Sequence, residues 1–321
     1  LSSLHSIINA SSRYGIEIIY DLCHFGYPED LNIFSKEFTK RFADYCYAVA
    51  RYVATHTNGT CYFTPMNEPS YFSWAAGEAG LFAPHLTGRG FDLKVCLVTA
   101  AIEGISAIRA ACSNVRIINV DPVCRVVAPI DSPDLEQQCD DFNTGAVFQS
   151  WDMLCGRLLP ELGGSREHLG TIGVNYYWTN QWEWGSADTP LLDDDARRWP
   201  PSKIIGSVWE RYGGDLIITE TSHIGERRAD WLSEITFEAE IMLEKNIPVQ
   251  GICLYPILGM PKWHTQEEWL NMGLWDLVSQ SGTLRRILYD PMLRALKQSQ
   301  RLERRANYFG GEACDTASTR L

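Results

Sequence analysis

The sequence has no positive charge to spare. Of its 321 residues, 28 are Lys or Arg against 40 Asp or Glu, a net charge of −12. No basic cluster offsets this, so nucleic acid is not expected as a partner. No apolar run reaches the length needed to cross a bilayer, so no membrane partner is expected either. No signal peptide opens the chain, and because the first residue is Leu1 rather than Met, the true N-terminus stays open. None of the ten cysteines forms a C-x-x-C pair, and several, such as Cys96 and Cys253, sit in apolar helix or strand patterns. They read as buried free thiols in a reducing compartment, and a cytoplasmic location is expected. No His/Cys/Asp set has metal-ligand spacing, so neither a metal nor an organic cofactor is expected. Repeats, low-complexity blocks and linkers are missing too. Residues 1–306 are therefore expected to form one domain, and 307–321 a disordered tail.

What the chain does have is a regular alternation of apolar runs. Hydrophobic residues make up 45% of it, enough for a sizeable core. Buried strands are expected at 16–22, 61–66, 116–120, 171–176, 215–219 and 250–255. Apolar residues at helical spacing predict helices at 4–14, 34–56, 93–112, 141–159, 203–212, 228–245 and 291–305, the first stopped by Gly15. Strands that are apolar throughout and alternate with helices indicate a parallel sheet covered on both faces. Six strands fall short of the eight of a closed (β/α)8 barrel, and only fifteen residues precede the first of them.

Two segments carry the chemistry. Thr64-Pro65-Met66-Asn67-Glu68-Pro69 and Ile217-Ile218-Thr219-Glu220-Thr221-Ser222 each put a glutamate at the end of an apolar, β-branched run. Barrel enzymes keep their reacting groups at the C-terminal ends of strands. Two glutamates on different strands are the minimum equipment for glycoside hydrolysis, one to protonate the leaving oxygen and one to attack the anomeric carbon. The plain alternative for Glu68 is to cap the helix or loop that begins at Pro69, and for Glu220 an ion pair with an arginine.

With these residues in view, the chain resembles glycoside hydrolase family 1, the retaining β-glycosidases of clan A. Asp21-Leu22-Cys23-His24-Phe25-Gly26-Tyr27-Pro28 resembles the end of the family's third strand, H-[WF]-D-x-P, and Phe63 to Pro69 its T-x-N-E-P motif on strand four. Ile172-Gly173-Val174-Asn175-Tyr176-Tyr177 resembles the G-x-N-Y-Y end of strand six, and Ile218 to Ser222 the I-T-E-N-G motif on strand seven. Tyr255 to His264 resembles the tryptophan-rich stretch after strand eight. The order of the motifs is that of the family.

The resemblance implies a TIM (β/α)8-type barrel lacking its first two βα units in this chain. It implies a β-glucosidase-like enzyme acting on a small carbohydrate or glycoside, with Glu68 as acid/base and Glu220 as nucleophile. Asn67 would bind the sugar 2-hydroxyl, His24 another hydroxyl, and Trp263 the ring face. Tyr177 would hold Glu220 as an anion, and Asn175 would line the same pocket. The family's sugar contacts from strands one and two have no counterpart to carry over. Three positions depart from its pattern: Gly26 replaces Asp, Thr221-Ser222 replaces Asn-Gly, and Lys262-Trp263 replaces Glu-Trp. Lys262 either reads an anionic sugar, such as a uronate or a 6-phosphosugar, or points to solvent. Another clan A glycanase and a non-catalytic sugar-binding relative remain as alternatives.

Overall fold

The computed structural model describes residues 2–263, 267–280 and 282–310, and beyond residue 300 the backbone only. His264 lies outside these residues. In chain order the elements are α1 (Ser2–Tyr14), β1 (Ile19–Asp21), α2 (Lys36–His56), β2 (Cys61–Thr64), α3 (Pro69–Ser73), α4 (Gly90–Ala111), β3 (Val115–Pro122), β4 (Arg125–Val127), α5 (Glu136–Thr144), α6 (Gln149–Leu154), α7 (Arg166–Leu169), β5 (Thr171–Asn175) and β6 (Gln181–Glu183). There follow α8 (Pro201–Tyr212), β7 (Leu216–Thr221), α9 (Arg228–Glu244), β8 (Val249–Leu254), β9 (Met260–Pro261), β10 (Trp269–Leu270), β11 (Trp275–Gln280), β12 (Thr283–Leu288) and α10 (Asp290–Gly310). No helix among the described residues is long and apolar enough to cross a membrane.

The six expected strands form one parallel sheet in the order β1-β2-β3-β5-β7-β8. With its covering helices it is a partial (β/α) barrel. Long helices cover it because their apolar faces have nowhere else to go. Ser35 starts α2 by accepting the Phe38 N–H at 3.2 Å, and Phe38, Phe42, Cys46, Ala50 and Val53 follow at helical spacing and are buried. They meet the apolar face of α4, where Leu93, Leu97 and Ile105 are fully covered. A Cβ on Gly104 of α4 would stand 3.0 Å from the Phe42 ring and 3.1 Å from Cys46 Sγ, so the two helices approach closely there.

Several expectations need correction. The strand expected at 16–22 is only three residues long and is not buried: Ile16 is 60% exposed and Ile19 40%. It is an edge strand with β2 as its one neighbour, and the pairing between them starts only at Ile19 and Tyr62. The other edge is β8, and Cys253, expected to be buried, is exposed there for the same reason. The helix expected at 141–159 is broken. Gly145, with φ −120 and ψ −70, ends α5, a 3-10 turn spans Ala146–Phe148, and α6 closes at Leu154. The pairs β4–β6, β9–β10 and β11–β12 lie outside the alternation of strand and helix and were not anticipated. Helix α10 continues past 305 to Gly310, so residues 307–310 of the expected tail are helical, and 311–321 lie outside the described residues.

Inside the arc the side chains of neighbouring strands leave no spare room. A Cβ at Gly173 on β5 would stand 2.6 Å from Val120 Cγ2 on β3 and 2.9 Å from Thr219 Cγ2 on β7. Gly173→Ala should therefore lower stability by about 1–3 kcal/mol through overpacking, read as a shift in the urea unfolding midpoint. An unchanged midpoint would mean that β3 and β7 can part at no cost.

Candidate active site

The C-terminal ends of the parallel strands converge on a pocket of about 310 Å³. Both motif glutamates line it, with His24, Tyr177, Lys262 and Trp263 around them. Glu68 follows β2 and Glu220 lies in β7, with β3 and β5 between them in the sheet order, and the curl of the arc brings them to one space.

Glu68 occupies the N-cap position of α3, as its plain alternative requires, yet its side chain makes no capping bond. It is 8% exposed and accepts the Asn175 amide at 2.7 Å on Oε1. Its backbone is left-handed, at φ 44 and ψ 62, a strain of about 1–3 kcal/mol for a non-glycine residue that surrounding contacts must hold. The Glu68 N–H donates to Val120 O at 3.0 Å, and the Asn67 N–H to Cys23 O at 2.9 Å, so both flanking strands pin the turn. Glu220 has a different neighbour: the Tyr177 hydroxyl donates to its Oε2 at 2.7 Å.

The two carboxyls are unequal. Glu68 is pushed well above the usual carboxylate range, first by burial and then by the charge of Glu220, with Asp121 and Asp21 adding to it and the Asn175 bond opposing. Glu220 is raised too, again by burial first, but the Tyr177 hydroxyl, the His24 charge and Asn175 all favour its anion. Where two carboxyls share a site, one proton goes to the group with less help for its charge. Of the two, Glu68 is the one raised further.

His24 Nδ1 lies 2.8 Å from Asp21 Oδ2. Burial works against charging the ring, but the Asp21 bond and charge, joined by Glu220, outweigh it and raise its pKa. The ring lies nearly parallel to that of Trp263, at 5.8 Å and 16°. Trp263 is itself 44% exposed. Lys262 sits at the rim with its Nζ 3.2 Å from Glu268 Oε2, both side chains about half exposed.

Asn67 and Asn175 are buried behind the carboxyls and do not line the pocket. Asn175, expected as a lining residue, is instead a clamp: its Oδ1 accepts from Thr219 Oγ1 at 2.7 Å, which fixes its amide toward Glu68. The Asn67 Nδ2 has no hydrogen-bond partner, a rare state for a buried donor. The motif departures have structural partners. Thr221 Oγ1 accepts the Trp231 indole N–H at 2.8 Å, and Ser222 Oγ donates to Met272 O at 2.6 Å. Asp21, Asp121 and Tyr255 were not singled out as site residues in the sequence. All three are polar side chains at or just beyond the C-terminal ends of β1, β3 and β8, which is the signal that could have found them.

The architecture defines a fold class first, that of a partial (β/α) barrel. Among solved structures, beta-glucosidase from Thermotoga maritima in complex with glucoimidazole is similar over 94% of this chain and 77% of that one, at 15% identity and a TM-score of 0.75. The same enzyme in complex with noeuromycin is similar over 94% and 76%, at 16% identity and a TM-score of 0.71. At such identity the likeness is one of fold. Comparison of the sequence with family models and with curated proteins finds no match.

Burial of Glu68 has a consequence for stability. Its pKa in the folded chain lies above its ordinary value, so folding favours the protonated form. That stability is complete below the ordinary range and is lost as pH rises through the raised value. Glu68→Gln keeps the position neutral at every pH. Its urea midpoint should match that of the wild type at about pH 4 and exceed it increasingly as pH is raised. A difference independent of pH would mean that Glu68 carries its charge without cost.

Proposed function

We propose that the chain is a retaining β-glycosidase, β-glucosidase-like and of the glycoside hydrolase family 1 type, built on residues 1–306 as a single domain. One observation carries the reading: two glutamates at parallel strand ends, Glu68 buried and Glu220 half-buried, face one pocket, and their surroundings separate a proton holder, Glu68, from a hydrogen-bonded anion, Glu220.

The reaction is a double displacement. The Glu220 carboxylate attacks the anomeric carbon as the bond to the leaving oxygen breaks, and Glu68 gives its proton to that oxygen. Glu68, now a carboxylate, takes a proton from water. The water oxygen adds to the anomeric carbon, and Glu220 leaves. Such a mechanism calls for carboxyl groups about 5–5.5 Å apart. Tyr177 stabilises the Glu220 anion and aims it. Asn67, expected at the sugar 2-hydroxyl, is buried outside the pocket lining and takes no sugar contact in this reading. Asp21 on Nδ1 of His24 directs the other ring nitrogen to a second hydroxyl. Trp263 offers its open face to the apolar side of the sugar ring. The Lys262–Glu268 pair neutralises the rim and favours a neutral sugar over a uronate or phosphosugar. Every chemical role is filled by a side chain, and no metal or organic cofactor enters a step.

The test is hydrolysis of aryl and alkyl β-glucosides, with proton NMR used to identify the first anomer released. The β-anomer is expected, together with no turnover for Glu220→Gln. For Glu68→Gln, kcat/KM on poor leaving groups should fall by about 10²–10⁴. Sugar binding without turnover, unchanged in Glu220→Gln, would leave a non-catalytic sugar binder. The α-anomer would rule out the retaining mechanism.

A further inference from the structure

Helix α3 begins at the residue proposed as the proton donor, and it begins without help from that residue. An N-cap side chain ordinarily accepts a hydrogen bond from the second or third N–H of its helix. Glu68 does not, because its carboxyl is turned into the pocket. The duty passes to the adjacent strand. Asp121, near the end of β3 and fully buried, accepts the Ser70 N–H at 3.0 Å on Oδ1 and the Ser70 hydroxyl at 2.5 Å on Oδ2. The Ser150 hydroxyl of α6 donates to the same Oδ2. One residue earlier on β3, Val120 O takes the Glu68 N–H. The end of β3 therefore holds the turn on both sides of the left-handed residue.

We propose that Asp121 is the positioning residue for Glu68: it caps α3 from the neighbouring strand, so that Glu68 keeps its left-handed turn with the carboxyl in the pocket, and it sets a negative charge behind that carboxyl. The role of Glu68 as acid rests on the function proposed above, whereas the placement by Asp121 does not. Burial pushes the Asp121 carboxyl up to about 6 against the Ser150 and Ser70 bonds and the Lys94 charge, so it is ionised above that pH. Lys94, on α4, does not cancel this charge by contact, since its Nζ donates to Gln149 Oε1 at 2.9 Å. The other groups around Glu68 are Glu220 from β7, Asp21 from β1, Tyr71 from α3, Asn175 and Tyr177 at the end of β5, and Tyr255 after β8. Those around Asp121, besides Lys94, are Cys124, Ser70 and Ser150.

The experiment titrates the full chain labelled with carboxyl-13C glutamate, with Glu68→Gln identifying the Glu68 signal. In Asp121→Asn the Glu68 midpoint should fall by about half a pH unit or more, since a like charge behind it is gone. An unchanged midpoint overturns the proposal. The companion measurement is kcat/KM on an alkyl β-glucoside, which needs a proton on its leaving oxygen, and on a 2,4-dinitrophenyl β-glucoside, which does not. A misplaced acid should lower the alkyl-to-dinitrophenyl ratio by about tenfold, and the alkaline limb for the alkyl substrate should move to lower pH. Equal loss on both substrates, as from a general structural defect, overturns the proposal. If Asp121→Asn fails to fold, Asp121→Ser, a smaller neutral cap acceptor, is carried through both measurements. A wild type that hydrolyses neither substrate defeats the glycosidase reading alone, and the titration then decides the placement.

Discussion

Two carboxyl groups in one small, poorly solvated space resist being ionised together, and the layout around the pocket is organised by that constraint. Asn175 donates to Glu68 and Tyr177 to Glu220, and Asn175 also favours the Glu220 anion. Thr219 holds the Asn175 carbonyl, so the amide cannot turn and offer an oxygen where a nitrogen is needed. Asp121 adds negative charge near Glu68 and His24 adds positive charge near Glu220, while Asp21 raises both carboxyls. The asymmetry is built from neighbours on four of the six sheet strands or the segments just beyond them. It follows that small displacements of a strand end would change proton affinities as well as shape.

The six-stranded sheet does not close into a barrel, yet residues from its two edges meet at the pocket. Both edge strands send residues over it: His24 follows β1 and Tyr255 follows β8, and their rings lie 5.9 Å apart at 24°. Trp263 joins them against His24 and Phe25. Aromatic contact between loops thus bridges a gap that backbone hydrogen bonds leave open. Along the strands themselves the gap shows as exposure at Ile16, Ile19 and Cys253.

Departures from a familiar motif need not unmake a site. Thr221 and Ser222 stand after Glu220 where the resemblance led to Asn-Gly. Their hydroxyls tie β7 to the Trp231 indole and to the Met272 carbonyl. These bonds satisfy buried groups and leave the direction of Glu220 to the strand and to Tyr177. The buried, unpartnered amide of Asn67 is the reverse case, a polar group left unsatisfied beside a pocket.

The six strands, the long helices and the two glutamates were legible in the sequence because each depends on a local pattern. A strand run is read from its β-branched residues, a helix from its spacing, and a strand-end glutamate from its place after the run. The edges were not legible: the run around Ile19 looks as buried as the run around Ile218, and exposure depends on how many neighbours a strand finds. The break at Gly145 was hidden because the apolar spacing continues on either side of it. Asn175 looked like a pocket residue from its motif, but whether a side chain faces the pocket or clamps what does is set by the register of β5 against β7. Asp121 carried no signal beyond its strand-end position, since its partner Ser70 is fifty-one residues away in sequence. The sequence by itself determined which residues could do chemistry. Only the tertiary structure decided what surrounds each glutamate and how far its proton affinity is raised, because that depends on burial and on charges brought together from distant parts of the chain.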